Sequence, residues 1–301
     1  MLPAPLALSR AAFFTLLFTA CLFGANHVAA RLAFNHGLDV ATAVLVRSFV
    51  TAAVVGGIVW LQGVPLRITP RQRGFLLLIS ALVAVQSLCL YAAVVRLPVA
   101  LALLTFNTYP LWTALFAWLL YRHRPERAVL LAMPVLLFGL ALALDALGAA
   151  SGLGAAGQWS RIGAGVAFAM TAAAVFGAAL VFTQHEAAGV DGRLRTTITM
   201  ALVGLLALVV VPLQGGLHLP QAAAGWWGLA GLTLCYGTAF TIMFTLLPRL
   251  GVVGSSPIMN VEPVAALVLA WALLGQAIAP VQVAGALIVV GTVMALGLRK
   301  R

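Results

Sequence analysis

Charge is what this chain has least of. Asp, Glu, Lys and Arg make up 8 % of its 301 residues and hydrophobic residues 63 %, against about 25 % and roughly 45–50 % in soluble domains. A soluble core of that size would lack a polar coat, which excludes an ordinary water-soluble domain. A bilayer supplies the missing apolar solvent, and spans of about 20 apolar residues are its expected product. Cysteine is nearly absent. Cys21, Cys89 and Cys235 stand singly in apolar runs without C-x-x-C spacing, which excludes a zinc set and makes them small buried hydrophobes. No P-loop sequence G-x-x-x-x-G-K-S/T, nucleophile elbow or Cys/His metal cluster occurs. Nucleotide-driven pumping and metal or cofactor chemistry are therefore not expected.

What is present is a row of apolar runs. Ten spans are expected, at about 11–34, 39–61, 74–95, 98–120, 128–146, 162–183, 196–213, 224–247, 252–274 and 280–298. The loops between them are brief, the longest being the Gly/Ala-rich stretch near 147–160. The fold class that follows is an all-α polytopic membrane protein with ten transmembrane helices. Trp60, Trp159, Trp226 and Trp227 fall at span ends and suit the interfacial aromatic belt.

The net charge of +11 invites a nucleic-acid reading, which fails on distribution. With the N-terminus in the cytoplasm, thirteen of the 17 basic residues fall on that side: Arg10, Arg67, Arg71, Arg73, Arg122, Arg124, Arg127, Arg193, Arg195, Arg249, Arg299, Lys300 and Arg301. Arg31, Arg96 and Arg161 fall outside and Arg47 lies within a span. By the positive-inside rule both termini are cytoplasmic, and the basic residues are topological anchors. The partners expected are the lipid bilayer and a small-molecule substrate, with no nucleic acid.

The chain also repeats itself. Asn107, Pro110, Ala117 and Trp118 recur 153 residues later as Asn260, Pro263, Ala270 and Trp271, and Arg96, Leu97 and Val99 recur as Arg249, Leu250 and Val252. Between 91–120 and 244–273 there are 8 identities in 30 pairs, where composition alone would give about three. Ala20, Phe23, Gly24, Ala25 and Val28 match Ala173, Phe176, Gly177, Ala178 and Val181. The first helix has the outline of a cleaved signal, but this match makes it a retained member of the fold. Two five-helix units result, 11–146 and 162–298. Five is odd, so the second unit enters the membrane from the opposite face: Arg96 falls in an outside loop and its counterpart Arg249 in an inside one. Inverted repeats of this kind are common in secondary transporters, with the substrate held between the halves near the midplane.

Polar groups at that depth mark candidate sites. Glu262 is roughly ten residues into the ninth span, about 15 Å deep at 1.5 Å of rise per residue, and is the only acid so placed. It either faces the cavity, meeting an ammonium group or a coupling proton, or is a structural acid paired with Arg47 or hydrogen-bonded to a broken helix. Pro257 and Pro263 bracket Asn260 and Glu262, and Pro110 follows Asn107 and Tyr109. Proline removes a donor and clashes with the carbonyl four residues back, so both segments are expected to kink or unwind. At the repeat offset Tyr109 and Glu262 are counterparts, which would set them across one cavity. Arg47 suits a substrate carboxylate, or else snorkels outward or pairs with an acid. Asn26 and His27 lie at comparable depth, and Gln86 and Tyr236 are further polar lining groups, the plainer reading of each being a hydrogen-bonded packing residue.

The residues also resemble a known family. The run Asn260-Val-Glu-Pro-Val-Ala-Ala-Leu-Val-Leu-Ala-Trp-Ala-Leu-Leu-Gly-Gln276, followed by Gln282-Val-Ala-Gly-Ala-Leu-Ile-Val-Val-Gly291, is similar to the ninth and tenth helices of EamA-type transporters, within the drug/metabolite transporter superfamily. Leu22-Phe-Gly-Ala-Asn26, Leu45-Val-Arg47-Ser-Phe and Tyr91-Ala-Ala-Val resemble the first, second and third helices of that family. The resemblance covers essentially the whole chain. It implies transport of amino acids, purine-like or sugar-like metabolites, or drugs, mostly by export. One departure stands out: the family usually carries Glu just after its fourth and ninth helices, where this chain has Tyr121-Arg122-His123 and Gln276.

The expectation is therefore a secondary transporter of the inner membrane that exports small polar or amphipathic metabolites, amino-acid-like by preference. A multidrug exporter of cationic or lipophilic compounds is the alternative. A membrane-embedded enzyme pairing His27 with Glu262 is the reading from another class, and would turn over substrate in detergent.

Overall fold

The computed structural model describes residues 10–123, 127–243, 261–276 and 279–298. Among these residues the chain is all helical, without strands. The helices are α1 (Arg10–Phe34), α2 (Val40–Leu61), α3 (Pro70–Arg96), α4 (Val99–Phe106), α5 (Tyr109–Tyr121), α6 (Arg127–Ala143), α7 (Gly154–Glu186), α8 (Gly192–Val210), α9 (Ala223–Thr241), α10 (Glu262–Leu274) and α11 (Pro280–Leu298). Helix is the form an apolar run must take in lipid, since no water is there to satisfy the backbone. Six segments are long and apolar enough to cross a membrane: α1, α2, α3, α4 with α5, α7, and α8 with its 3-10 extension to Gln214. The remaining apolar helices of α6, α10 and α11 are shorter.

Side-chain size is distributed for lipid. Ala20, Ala30, Ala33, Ala41, Ala43, Ala172 and Ala173 are wholly buried between helices, while Phe14, Leu61, Leu131, Val209 and Trp271 face outward. Small residues let backbones approach, and packing rather than the hydrophobic effect holds helices together in a membrane. At Gly228 an added Cβ would stand 2.7 Å from the Ala33 amide nitrogen and 2.8 Å from the Ala29 carbonyl. Trp60, Trp159, Trp226 and Trp227 are all exposed, as an aromatic belt requires.

Helix pairing follows the sequence repeat. α1 packs on α9 and α10, and its counterpart α7 packs on α3 and α5; α2 packs on α8, and α6 on α11. Two close backbone approaches are reciprocal. A Cβ at Gly24 would meet the Ala266 amide at 3.0 Å, and one at Gly177 would meet the Thr113 amide at 2.8 Å. Gly24 and Gly177, and Thr113 and Ala266, are counterparts at the 153-residue offset.

The fourth expected span breaks where proline predicts. α4 stops at Phe106 and α5 starts at Tyr109, with Pro110 in its first turn. The polar side chains at the break bond back onto carbonyls of α4. Asn107 Nδ2 donates to Leu103 O at 3.1 Å, and Thr108 Oγ1 donates to Thr105 O at 2.8 Å. In the ninth span α10 opens on Glu262 and Pro263. Asn260 and Pro257 lie outside the described residues.

Two expectations need correction. The loop near 147–160 is shorter than expected, because α7 already begins at Gly154. Its turn is held by Asp145, whose carboxylate accepts from the amides of Ala150 (3.0 Å) and Ser151 (2.8 Å). Arg161 is therefore a residue of α7, not of a loop. Arg31 belongs to the last turn of α1, and its guanidinium donates to the carbonyls of Val94, Val95 and Leu97, tying α1 to the end of α3.

Candidate functional site

The polar residues of α1, α2, α3, α8, α9 and α10 converge on one buried constellation. Its centre is Arg47, in the eighth position of α2 and 3 % exposed. The guanidinium carbon lies 3.9 Å from the ring centre of Tyr236 and 4.7 Å from that of Tyr91. Cation–π contact is strongest where water is excluded, as here. Nη2 donates to Ser87 Oγ at 2.9 Å, while Nε is buried without a partner among the described residues. Arg47 forms no ion pair among those residues. The snorkelling and acid-paired readings both fail on this geometry.

Around it, Tyr91 donates its hydroxyl to Asn26 Oδ1 at 2.9 Å, and Asn26 Nδ2 is buried without a partner among the described residues. His27 meets the Tyr91 ring edge-on at 5.8 Å. Its Nε2 faces Glu262 Oε1 at 3.4 Å, and its Nδ1 has no partner among the described residues. Glu262 therefore pairs with His27, not with Arg47. Its carboxylate sits in the first turn of α10, where the helix N-terminus favours negative charge. Tyr236 donates to the Met200 sulfur at 3.7 Å and packs on Phe240 and Phe23. Gln86 reaches the group through Ser87, whose hydroxyl lies 3.4 Å from Gln86 Oε1.

Six of the expected residues thus come together: Asn26, His27, Arg47, Gln86, Tyr236 and Glu262. Tyr109 stands beside them, packed on Phe106 and Phe176 at ring distances of 5.6 and 5.2 Å and within electrostatic reach of Glu262. Asn107 does not join, because its amide is turned back onto α4. Sequence reasoning missed Ser87, Tyr91 and Met200 as members. Tyr91 was legible in principle: the chain has only four tyrosines, and Ser87 and Tyr91 lie one turn apart on α3.

The glutamine that replaces the expected glutamate has a definite task. Gln276 Oε1 accepts from the Val99 amide at 3.1 Å, capping the start of α4. At the other end of the bundle, Tyr121, His185 and Glu186 form a second cluster with Arg71. Tyr121 donates to Glu186 Oε1 at 2.8 Å, Arg71 pairs with Glu186 Oε2 at 2.8 Å, and the His185 ring stacks on Tyr121 at 3.9 Å.

Comparison with known proteins decides the class. The model of the EamA-like transporter family matches residues 10–144 and again 163–298. The chain belongs to the EamA-like transporter family. It is a polytopic membrane protein of a transporter family acting in the lipid bilayer on small molecules. Seventeen solved chains match. One, a crystal structure described simply as that of a protein, aligns with a TM-score of 0.65 at 19 % identity, over 97 % of this chain and 100 % of its own. At that identity the likeness speaks for the fold alone. No curated protein matches.

Proposed function

We propose that this chain is a secondary transporter that exports small zwitterionic metabolites, amino-acid-like by preference, by alternating access. The observation that carries the reading is the state of Arg47. A guanidinium held in apolar surroundings without a counter-ion is costly. It can take a carboxylate bidentately through the nitrogen atoms its protein partners leave free. The His27–Glu262 pair, bridging α1 and α10, supplies the opposite sign for an ammonium group or a coupling proton. Asn26, Gln86, Tyr109 and Tyr236 line the site, and Asn260 remains a further candidate for a neutral polar atom. Pro110, Pro257 and Pro263 are the hinge positions.

In this reading ten spans form two inverted units, 11–146 and 162–298, in the inner membrane with both ends in the cytoplasm. The paired glycine contacts support the two-fold arrangement, and the charge count supports the orientation. Export is the direction the family resemblance favours.

Flux in proteoliposomes tests the proposal, with a panel of neutral amino acids and cationic drugs, with and without a pH gradient. Amino-acid flux that falls in Arg47→Gln is the expected result. A chain that carries only the cationic drugs, and carries them as well after Arg47→Gln, is a multidrug exporter instead. Substrate turnover in detergent would point to the enzyme reading.

A further inference from the structure

Arg96 marks the repeat in the sequence, yet the central site makes no use of it. It closes α3 at the end of the bundle where α2 begins. There a cavity of about 410 Å³ opens between α1, α2, α3, α7 and α8, within the size range of small-molecule sites. Two charged side chains line it, from different elements: Arg96 on α3 and Asp39 before α2. The Arg96 guanidinium rests on the Phe168 ring at 4.7 Å and donates to Ala92 O at 2.8 Å. It has no carboxylate partner among the described residues. Asp39 is fixed by the Thr42 amide (2.9 Å) and hydroxyl (2.5 Å) and the His218 amide (3.0 Å), with the His218 ring at 3.5 Å.

The cavity abuts the central site. Phe34 lines it and meets the Tyr91 ring at 5.5 Å, and Tyr91 in turn stacks on Arg47. The Phe34 and Tyr91 rings, in contact with each other, lie between the cavity and the Arg47 guanidinium. We propose that this cavity is a second binding station for zwitterions, taking the carboxylate at Arg96 and turning the ammonium group towards Asp39, before or after passage by Phe34 to Arg47. The inference rests on the transport reading above, since it concerns the same cargo.

Equilibrium binding of radiolabelled L-leucine to the purified full chain in detergent separates the two ideas. The wild type is expected to bind a second equivalent beyond the Arg47 site. Arg96→Gln, at an exposed position, and Ala92→Phe, which fills the cavity wall, should each remove one equivalent and leave the other. Arg47→Gln should also remove one, leaving the Arg96 equivalent in place. A single equivalent, lost in Arg47→Gln and untouched by both vestibule variants, overturns the second station while the transport reading stands. Both equivalents retained in Arg96→Gln and Ala92→Phe overturns it equally. A wild type that binds no leucine overturns the zwitterion reading and this station together.

Discussion

His27 and Glu262 come from helices of different repeats, yet the imidazole Nε2 and the carboxylate Oε1 stand 3.4 Å apart. Each is the sole ionisable group its helix offers at that depth, and the contact joins α1 to the first turn of α10. Glu262→Gln keeps the size and removes the charge. Flux of the carried amino acid should fall about tenfold or more, which corresponds to about 1.4 kcal/mol, and its response to a pH gradient should vanish. Flux unchanged in both respects would remove Glu262 from the site.

Arg47→Lys preserves the charge but loses the planar stack between Tyr91 and Tyr236, and an ammonium cannot take a carboxylate bidentately. Transport should fall about as far as in Arg47→Gln. Tyr91→Phe acts differently, because it leaves Asn26 Oδ1 without its donor. A cost of about 1–3 kcal/mol in thermal stability is expected for an acceptor stranded in the interior. A calorimetric or fluorescence melt in detergent would report it.

The paired glycines make a prediction that depends on the two-fold arrangement. Gly24→Val and Gly177→Val each push a branched side chain into the backbone of the facing half-helix. Overpacking of this kind costs about 1–3 kcal/mol or more. The two variants should be similarly destabilised, whereas Gly57→Val, where an added Cβ meets nothing within 4 Å, should not. Unequal losses at Gly24 and Gly177 would argue against equivalent halves.

Much of this was readable from the chain alone, for identifiable reasons. Span positions follow from apolar length, and the break beside Pro110 follows from a missing amide. The equivalence of α1 and α7 follows from the duplicated run around Gly24 and Gly177, though not the helices they pack on. What could not be read is direction around a helix. Asn107 has the depth of a lining residue, but its side-chain amide bonds back to the Leu103 carbonyl of its own helix. Arg47 and Glu262 share a depth without touching, since the bundle turns Arg47 towards α3 and α9 and gives Glu262 to α1. The start of α7 was missed because Gly148, Gly152, Gly154 and Gly157 punctuate the run as loop would, and nothing in that run announces the Asp145 turn that precedes it.

Asp191 offers a pH-dependent test outside the spans. It caps α8, and its hydrogen bond from the Arg193 side chain, aided by the Arg193 amide, holds its carboxyl below the usual carboxylate range. A lowered folded pKa adds stability above the unfolded value of about 3.9, and this is lost as pH falls through the folded value. Asp191→Ala should therefore melt lower than wild type at neutral pH. The difference should shrink towards its capping component as the pH drops below about 4.

Under the alternating-access proposal, the cluster at the Arg71 end is a tie that must part when that end opens. Glu186 is the shared acceptor: Arg71 holds one oxygen and Tyr121 the other, so α3, α5 and α7 are tied through one carboxylate. Arg71 is mostly exposed, and its exposed ion pair alone is worth about 0.2–1 kcal/mol. The Tyr121 bond to a charged acceptor adds about 1.5–3 kcal/mol, enough to bias an opening equilibrium. Beneath the cluster Ala187 is wholly buried, so a cysteine there reacts with maleimide only when the end parts. In a background with Cys21, Cys89 and Cys235 replaced, Ala187→Cys should label about tenfold faster once Glu186→Gln is added. Tyr121→Phe should accelerate labelling more than Arg71→Gln does, because the stronger bond is the one removed. Equal labelling with and without Glu186→Gln would mean that the tie is incidental and that the end is closed by helix packing alone.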